Sequence, residues 1–212
     1  MKIDSPINFS LESKKIIDNY NNNKSLHDTS YWSNDDIVKL KAEIKSYYKD
    51  KQKYTCVYCN KSIRVNHSAV WDIEHIVPKS TYPRFMFIPE NLCVSCKDCN
   101  TIKNNKAVLI NRSIVRYPMK SSSFSIIHPH FDNYFEHLDI YLGKIYSPKT
   151  LKGKNTIEAC GLLRFSYESV GWDPSISQTT GLLESAQKLL NDPENAKFYA
   201  MEMLIKAQIN SM

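Results

Sequence analysis

Apolar residues recur along the chain at two different spacings, and these spacings predict its helices and strands. From Ile37 to Tyr48 they recur every three or four positions, which is typical of the buried face of a helix. From Val70 to Val77 they form a short run that Pro78 ends, which indicates a buried strand. The pattern predicts two N-terminal helices, one over 11–20 capped by Ser10 and one from a cap at Ser33 to about Lys49. It then predicts strands near 63–65 and 70–77, strand-like runs at 92–94 and 124–127, and a helix over 99–106. The C-terminal part is predicted to form a hairpin over 138–146 that turns at Gly143-Lys144, and helices over 156–170 (capped by Asn155), 181–190 and 193–209.

Composition places the chain among ordinary globular proteins. Its 212 residues are 42% hydrophobic and 24% charged, enough for one good core with a small additional layer. No apolar run approaches the length of a membrane span, and the first residues lack the apolar segment of a signal peptide. We therefore expect a cytoplasmic protein with no membrane association.

Positive charge is concentrated in two segments. The net charge is +6, and residues 39–64 carry eight basic side chains against two acidic ones, while residues 97–120 carry six against one. Any single lysine in these segments is adequately explained as solvated surface. Together, however, the two segments flank the chemistry described next, as expected of a protein that binds a phosphate backbone.

The cysteines predict a metal site rather than disulfides. Cys56-x-x-Cys59 and Cys96-x-x-Cys99 are two pairs separated by 36 residues, and four thiolates suit a structural Zn²⁺ ion with tetrahedral geometry. Cys93-x-x-Cys96 is a competing pair. We prefer Cys96 with Cys99 because this choice leaves Cys93 within a buried strand, and we interpret Cys93 and Cys160 as core thiols.

Between the two cysteine pairs and directly after the second pair lie residues suited to hydrolysing a phosphodiester bond. Glu74 and His75 are adjacent at the end of the predicted strand, and Asn100 follows the last cysteine. A neutral imidazole can deprotonate water near pH 7, and carboxylate and carboxamide oxygens suit a hard ion such as Mg²⁺ or Mn²⁺. A lone histidine in a strand is usually structural, so the prediction depends on the whole set.

Over about residues 54–106 the chain resembles the HNH endonucleases. The resemblance is carried, in chain order, by Cys-x-x-Cys, Glu-His-Ile-Val-Pro, Asn-Leu and Cys-x-x-Cys-Asn followed by Lys103. Asn91 and Asn100 stand nine residues apart, as the two asparagines do in the HNH domain of RNA-guided CRISPR nucleases. The resemblance implies a ββα-metal core, which is a two-stranded hairpin and a helix around one catalytic metal. It also implies DNA as the substrate. One departure is Glu74, since many members have aspartate at this position.

The resemblance also assigns roles to residues of this chain. His75 is expected to be the general base, Glu74 and Asn100 ligands of the catalytic Mg²⁺ or Mn²⁺, and Asn91 the asparagine that steadies the histidine loop. Several further residues are candidates: Asp72 as an alternative metal ligand, His128 and His130 as metal-binding, structural or substrate-positioning residues, and Lys79, Lys103 and Lys106 as phosphate contacts.

The expected architecture is α+β, with a zinc-stapled ββα-metal core, flanking helices and a C-terminal layer. We divide the chain into an N-terminal helical region (1–50), the nuclease core with its four-cysteine zinc site (51–115), and a hairpin with helices that packs on the core (116–212).

Residues 130–137, 152–157 and 162–164 resemble the HNH subunits of Septu-type anti-phage systems and the HNH effectors attached to some retrons. This resemblance implies a role in bacterial defence with a partner ATPase. The alternative function is a catalytically silent, zinc-stabilised subunit that binds nucleic acid or serves as a scaffold. Cleavage of DNA with Mg²⁺ or Mn²⁺ discriminates the two.

Overall fold

A computed structural model describes residues 2–65, 68–168, 180–195 and 198–203. The chain divides into two compact units, Met1–Phe124 with His128–Asp132, and Ser125–Ile127 with Asn133–Met212. The three-part division made from the sequence stays a prediction.

Two helices open the first unit, and both were predicted. Helix α1 (Leu11–Asn22) begins at the Ser10 cap, whose side chain accepts from the Ser13 amide, and it continues two residues further than predicted. Helix α2 (Val38–Lys51) follows a 3-10 turn capped by Asn34, not by the predicted Ser33. Asn34 acts as the cap because its side chain accepts from the backbone N–H of Asp36.

A two-stranded antiparallel sheet and a short helix form the centre of this unit. Strand β1 (Trp71–His75) pairs with β2 (Leu92–Cys96) in a register that places Glu74 opposite Cys93, and helix α3 (Lys97–Lys103) follows β2 directly. The order strand, strand, helix confirms the predicted ββα core.

Two boundaries in this region differ from the sequence predictions. Residues 63–65 form no strand, because the backbone there makes only one bridge, from Ser62 back to Thr55. Helix α3 begins two residues before Cys99 and ends before Lys106, since Asn104 takes a positive φ of 45° that a helix cannot continue.

The end of α2 is fastened to the middle of β2 by one side chain. The carboxamide of Gln52, which is 2% exposed, accepts from the Val94 amide at 2.8 Å and donates to the Val94 carbonyl at 2.8 Å. This pairing replaces the hydrogen bonds that a third strand would make. Leu40, Ile44 and Tyr48 place the apolar face of α2 in the core.

The second unit contains a hairpin and helices. The described elements are α4 (Tyr134–His137), β3 (Leu138–Tyr141), β4 (Ile145–Pro148), α5 (Leu151–Cys160), α6 (Arg164–Glu168) and α7 (Thr180–Asn191). The predicted hairpin is present, but its two left-handed turn residues are Leu142 and Gly143 rather than Gly143 and Lys144. The helix expected at 181–190 is α7.

The long helix predicted over 156–170 is wrong. Helix α5 begins earlier, where Thr150 accepts from the Gly153 amide, and it ends at Gly161, which has a left-handed φ of 59°. Asn155, the predicted cap, lies inside α5 and donates to the Ser125 carbonyl. After the turn at Gly161, the chain becomes helical again in α6, which begins at Arg164.

Three further predictions have mixed outcomes. Residues 124–127 contribute only one bridge, between Phe124 and Leu109. The predicted helix 193–209 begins as a 3-10 turn and is helical over 198–203, while 204–209 lie outside the described residues, as do 169–170.

Among the described helices, none has both the length and the apolar character that crossing a bilayer requires.

Gly153 offers a test of the second unit. A Cβ atom at this position would collide with the backbone carbonyl of His137, so Gly153→Ala should lower the free energy of unfolding by about 1–3 kcal/mol. Gly143→Ala is the matched control, since it meets open space and costs only about 1 kcal/mol for its positive φ. Urea denaturation followed by circular dichroism measures both, and equal losses would contradict the collision.

Candidate active site and metal centre

Four buried cysteines converge at the point where β2 becomes α3. Their ligand sulfur atoms lie within 4.8 Å of one another, and the Sγ atoms of Cys59 and Cys96 are 3.9 Å apart. The backbone N–H of Cys96 donates to the Cys56 sulfur at 3.3 Å, a contact that favours the thiolate form. The set of Cys56, Cys59, Cys96 and Cys99 is therefore arranged to hold one tetrahedral cation.

The competing pair Cys93 and Cys96 does not form the site. Both residues lie in β2, where positions three apart point to opposite faces of the sheet. Cys96 and Cys99 avoid this constraint because the helix begins between them. Cys93 and Cys160 are buried elsewhere, in β2 and α5.

One face of β1 lies against one face of α3. Asp72 and Glu74 are two apart in a strand, and Asn100 and Lys103 are three apart in a helix, so each pair shares a face. The Asn100 Nδ2 atom donates to Asp72 Oδ2 at 2.9 Å, and the Lys103 ammonium contacts Glu74 Oε1 at 2.5 Å. In this contact the Asn100 amide uses its Nδ2 atom, so its Oδ1 atom is not the one bonded to Asp72.

Glu74 is a buried carboxylate with two cooperating donors. The Tyr58 hydroxyl donates to its Oε1 atom at 2.9 Å, the same atom that Lys103 contacts. Burial raises the pKa of the Glu74 carboxyl, while Lys103 and Tyr58 oppose this rise by stabilising the charged form. Among the described residues, both side-chain contacts go to Oε1, so Oε2 keeps its lone pairs for a ligand.

Lys103 is not a surface lysine. Its side chain is fully buried, and its ammonium donates to the His75 carbonyl at 3.2 Å in addition to contacting Glu74. The prediction that Lys103 contacts a DNA phosphate is therefore replaced by a structural role. The long side chain buries its charge because a buried carboxylate lies at its end.

His75 is held as a neutral base with a defined tautomer. Its Nε2 atom lies 3.0 Å from the Met86 carbonyl, which can only accept, so Nε2 carries the proton and Nδ1 is the basic nitrogen. Burial lowers the pKa of His75 to about 3, and the nearby Lys79 ammonium adds to the effect. The Trp32 ring meets the imidazole edge-on at a centroid distance of 4.6 Å.

Asn91 connects the two ends of the loop between β1 and β2. It is fully buried and accepts from the Val77 amide at 2.7 Å, while its Nδ2 atom donates to the carbonyls of Val77 at 3.1 Å and Phe85 at 3.0 Å. Phe85 precedes Met86, whose carbonyl orients His75. Asn91 thus fastens the loop whose Met86 carbonyl contacts His75.

A pocket of about 420 Å³ brings the predicted site residues together. Its lining includes Glu74, His75, Lys79 and Asn100. Lys79 is half-buried there, and burial lowers the pKa of its ammonium although Glu74 opposes the change. Lys106 is exposed on the segment that follows α3.

His128 and His130 are buried in a different part of the first unit. The Nε2 atom of His128 lies 2.8 Å from the Tyr117 hydroxyl, and that of His130 lies 2.8 Å from the Leu92 carbonyl. Within the described part of the chain, the four cysteines form the only group of three or more His, Cys, Asp or Glu ligands close enough to share an ion. These contacts hold both imidazoles within the fold, and the role predicted for the two histidines stays a prediction.

Three contacts of the site escape sequence reasoning. Tyr58 lies inside the first cysteine pair, Met86 acts through its backbone carbonyl, and Trp32 comes from the turn before α2. No spacing rule links these residues to His75. Of the three, Tyr58 is the most predictable from sequence, because the two cysteines on either side of it place it close to the cysteine cluster.

The sheet, the short helix and the paired carboxylate and imidazole define a ββα-metal core. Comparison with known families agrees: residues 56–106 match the HNH endonuclease family. This segment of the chain is therefore similar to HNH endonuclease domains.

The chain is also similar to the Septu protein PtuB of Bacillus thuringiensis, with 29% identity over 140 residues. The aligned region covers 66% of this chain and 48% of that relative, so the chain spans about half of the relative's length. No solved structure matches the chain.

Asn91 provides a test of how the site is positioned. Asn91→Ala removes three buried hydrogen bonds and leaves their partners unsatisfied, so it should lower the free energy of unfolding by about 3 kcal/mol. Asn105→Ala, an exposed asparagine near the pocket, should change it by less than about 0.5 kcal/mol. Urea denaturation measures both, and a similar stability for the two variants would refute the role given to Asn91.

Proposed function

We propose that this chain is a metal-dependent endonuclease that hydrolyses DNA phosphodiester bonds. His75 is the general base, and Glu74 and Asn100 hold one Mg²⁺ or Mn²⁺ ion. The observation that carries the proposal is the convergence of a neutral, tautomer-fixed imidazole with two oxygen ligands in one pocket of an HNH core.

The donor set fits a hard divalent ion. The proposed ligand atoms are Glu74 Oε2 and Asn100 Oδ1. Lys103 holds the other oxygen of Glu74, and Asp72 holds the Nδ2 atom of Asn100, so neither side chain has to reorient to bind the ion. Two protein oxygens leave room for several waters, as Mg²⁺ requires. Asp72 supports Asn100 rather than replacing it as a ligand.

The side chains divide the work of hydrolysis among them. His75 Nδ1 accepts the proton of the attacking water, and the Met86 carbonyl stabilises the imidazolium that results. Burial is the main cause of the low pKa of the imidazole, and the Lys79 ammonium adds to it. Lys79 pairs with the phosphate, and this pairing relieves the second of these two effects. The metal ion, when bound, supplies charge stabilisation at the phosphate and the leaving 3′-oxygen.

The cysteine cluster is proposed to hold zinc. Four thiolates leave no position for substrate, so the ion is structural. Its function is to fasten the loop that carries Tyr58 to the start of α3, which carries Asn100.

We further propose a role in anti-phage defence together with a partner ATPase, in the cytoplasm. The support is the similarity to a Septu protein and the resemblance of the C-terminal segments to HNH subunits of Septu-type systems. Co-purification from a native host identifies such a partner directly.

His75→Ala tests the catalytic assignment. Plasmid cleavage with Mg²⁺ or Mn²⁺ should fall by about 100-fold or more, because proton transfer from the water is lost. Zinc content and circular dichroism should stay unchanged. His27→Ala, a histidine bonded to the Tyr20 carbonyl outside the pocket, is the control and should retain activity. Full activity of His75→Ala would refute the assignment, and DNA binding without cleavage by the unaltered protein would favour the catalytically silent alternative.

Cys99→Ser and Cys93→Ser form a matched pair for the zinc site. The first removes one of four ligands and should lose bound zinc, while the second removes a buried thiol outside the cluster and should keep it. Elemental mass spectrometry of the purified variants measures zinc per chain. Retention by Cys99→Ser with loss by Cys93→Ser would reverse the ligand assignment.

A further inference from the structure

A second cavity lies beside the pocket that contains His75. It measures about 470 Å³ and is bordered by helix α2 and strand β1. Ile73, Lys79 and Asn100 line both cavities, so the two cavities adjoin in the first unit. A strand that enters the His75 pocket can therefore extend into this second cavity.

The second cavity is strongly basic. Lys41 and Lys45, one helical turn apart on α2, line it together with Lys79. Asp72 is the carboxylate on its wall, and Asn100 already donates to it. Among the described residues that line the cavity, three carry an ammonium group and one carries a carboxylate. This composition favours the binding of an anion.

Trp32 keeps two of these ammonium groups in place. The Lys41 and Lys79 Nζ atoms lie 5.9 and 5.8 Å from the centre of its ring, within the range of a cation–π contact. Lys41 also donates to the Trp32 carbonyl at 3.1 Å. The same indole meets His75 edge-on, so it connects the lysines with the general base.

Lys45 adds an energetic argument. Burial lowers the pKa of its ammonium, and the attraction of Asp72 only partly opposes this change. A bound anion would stabilise the charged form further. Phosphate groups of a nucleic acid are anions of this kind and occur in a row.

We propose that the cavity lined by Trp32, Lys41, Lys45 and Lys79 is a basic groove that binds the DNA phosphates next to the scissile one. The inference rests on the proposed nuclease function and extends it. Trp32, Lys41 and Lys45 precede the HNH segment at 56–106, so the N-terminal helical region supplies part of the substrate site.

The groove is tested by the salt dependence of DNA binding. The parent protein is the zinc-loaded full chain with His75→Ala, which prevents cutting during the titration. The groove variant adds Lys41→Gln and Lys45→Gln, and the control variant adds Lys39→Gln and Lys51→Gln, two exposed lysines of the same helix. Fluorescence anisotropy with a short labelled DNA duplex gives Kd across a series of NaCl concentrations.

Each lost phosphate contact reduces the slope of log Kd against log salt by about 0.9, so the groove variant should lose about 1.8. At ~0.1 M NaCl its affinity should fall by at least about tenfold. The control variant removes the same amount of charge, and its losses of slope and of affinity should be less than half those of the groove variant. Circular dichroism and zinc content should match the parent in both variants.

Two results would overturn the groove. If the groove and control variants lose equal DNA affinity, the effect comes from net charge alone. If the slope of log Kd against log salt is unchanged in the groove variant, Lys41 and Lys45 do not contact DNA phosphates. In either case the parent still binds DNA, so the proposed nuclease function stands. Absence of DNA binding by the parent would overturn the groove and the nuclease function together.

Discussion

The geometry of the site depends on the convergence of four cysteine sulfurs where β2 ends and α3 begins. Helix α3 has only seven residues, too few to be stable alone, so its position must come from tertiary contacts. Cys96 and Cys99 fasten its first turn to the loop that carries Cys56 and Cys59. Asn100 and the rest of the helix then project against β1 at a fixed distance.

A buried ion pair completes this arrangement. Lys103 and Glu74 would each be costly to bury alone, and removing either partner from such a pair leaves an uncompensated charge. Together they orient the carboxylate, while the contact between Lys103 and the His75 carbonyl holds the end of β1. Tyr58 adds a neutral donor on the same oxygen. The two donors thereby hold the Glu74 carboxylate in one orientation.

The chemistry of the site is not confined to the HNH segment. The imidazole receives its tautomer from a carbonyl in the loop that Asn91 closes, and one of its edges is covered by Trp32, which precedes α2. Helix α2 is fastened to β2 through Gln52 and so holds its lysines beside the pocket. The short HNH-like segment thus obtains its surroundings from parts of the chain that carry no motif.

Local sequence was sufficient for the residue types of the site and their order: two cysteine pairs, an acid beside a histidine, and the strand, strand and helix that carry them. These features follow from spacing along the chain, which depends on backbone geometry alone. The sequence already favoured Cys99 over Cys93, and the tertiary structure decided the choice by showing where the strand becomes a helix. Tertiary contacts also turned Lys103 from a predicted surface residue into a buried partner of Glu74 and brought Trp32 to His75. Such contacts join residues distant in sequence, and no periodicity encodes which distant side chains will meet.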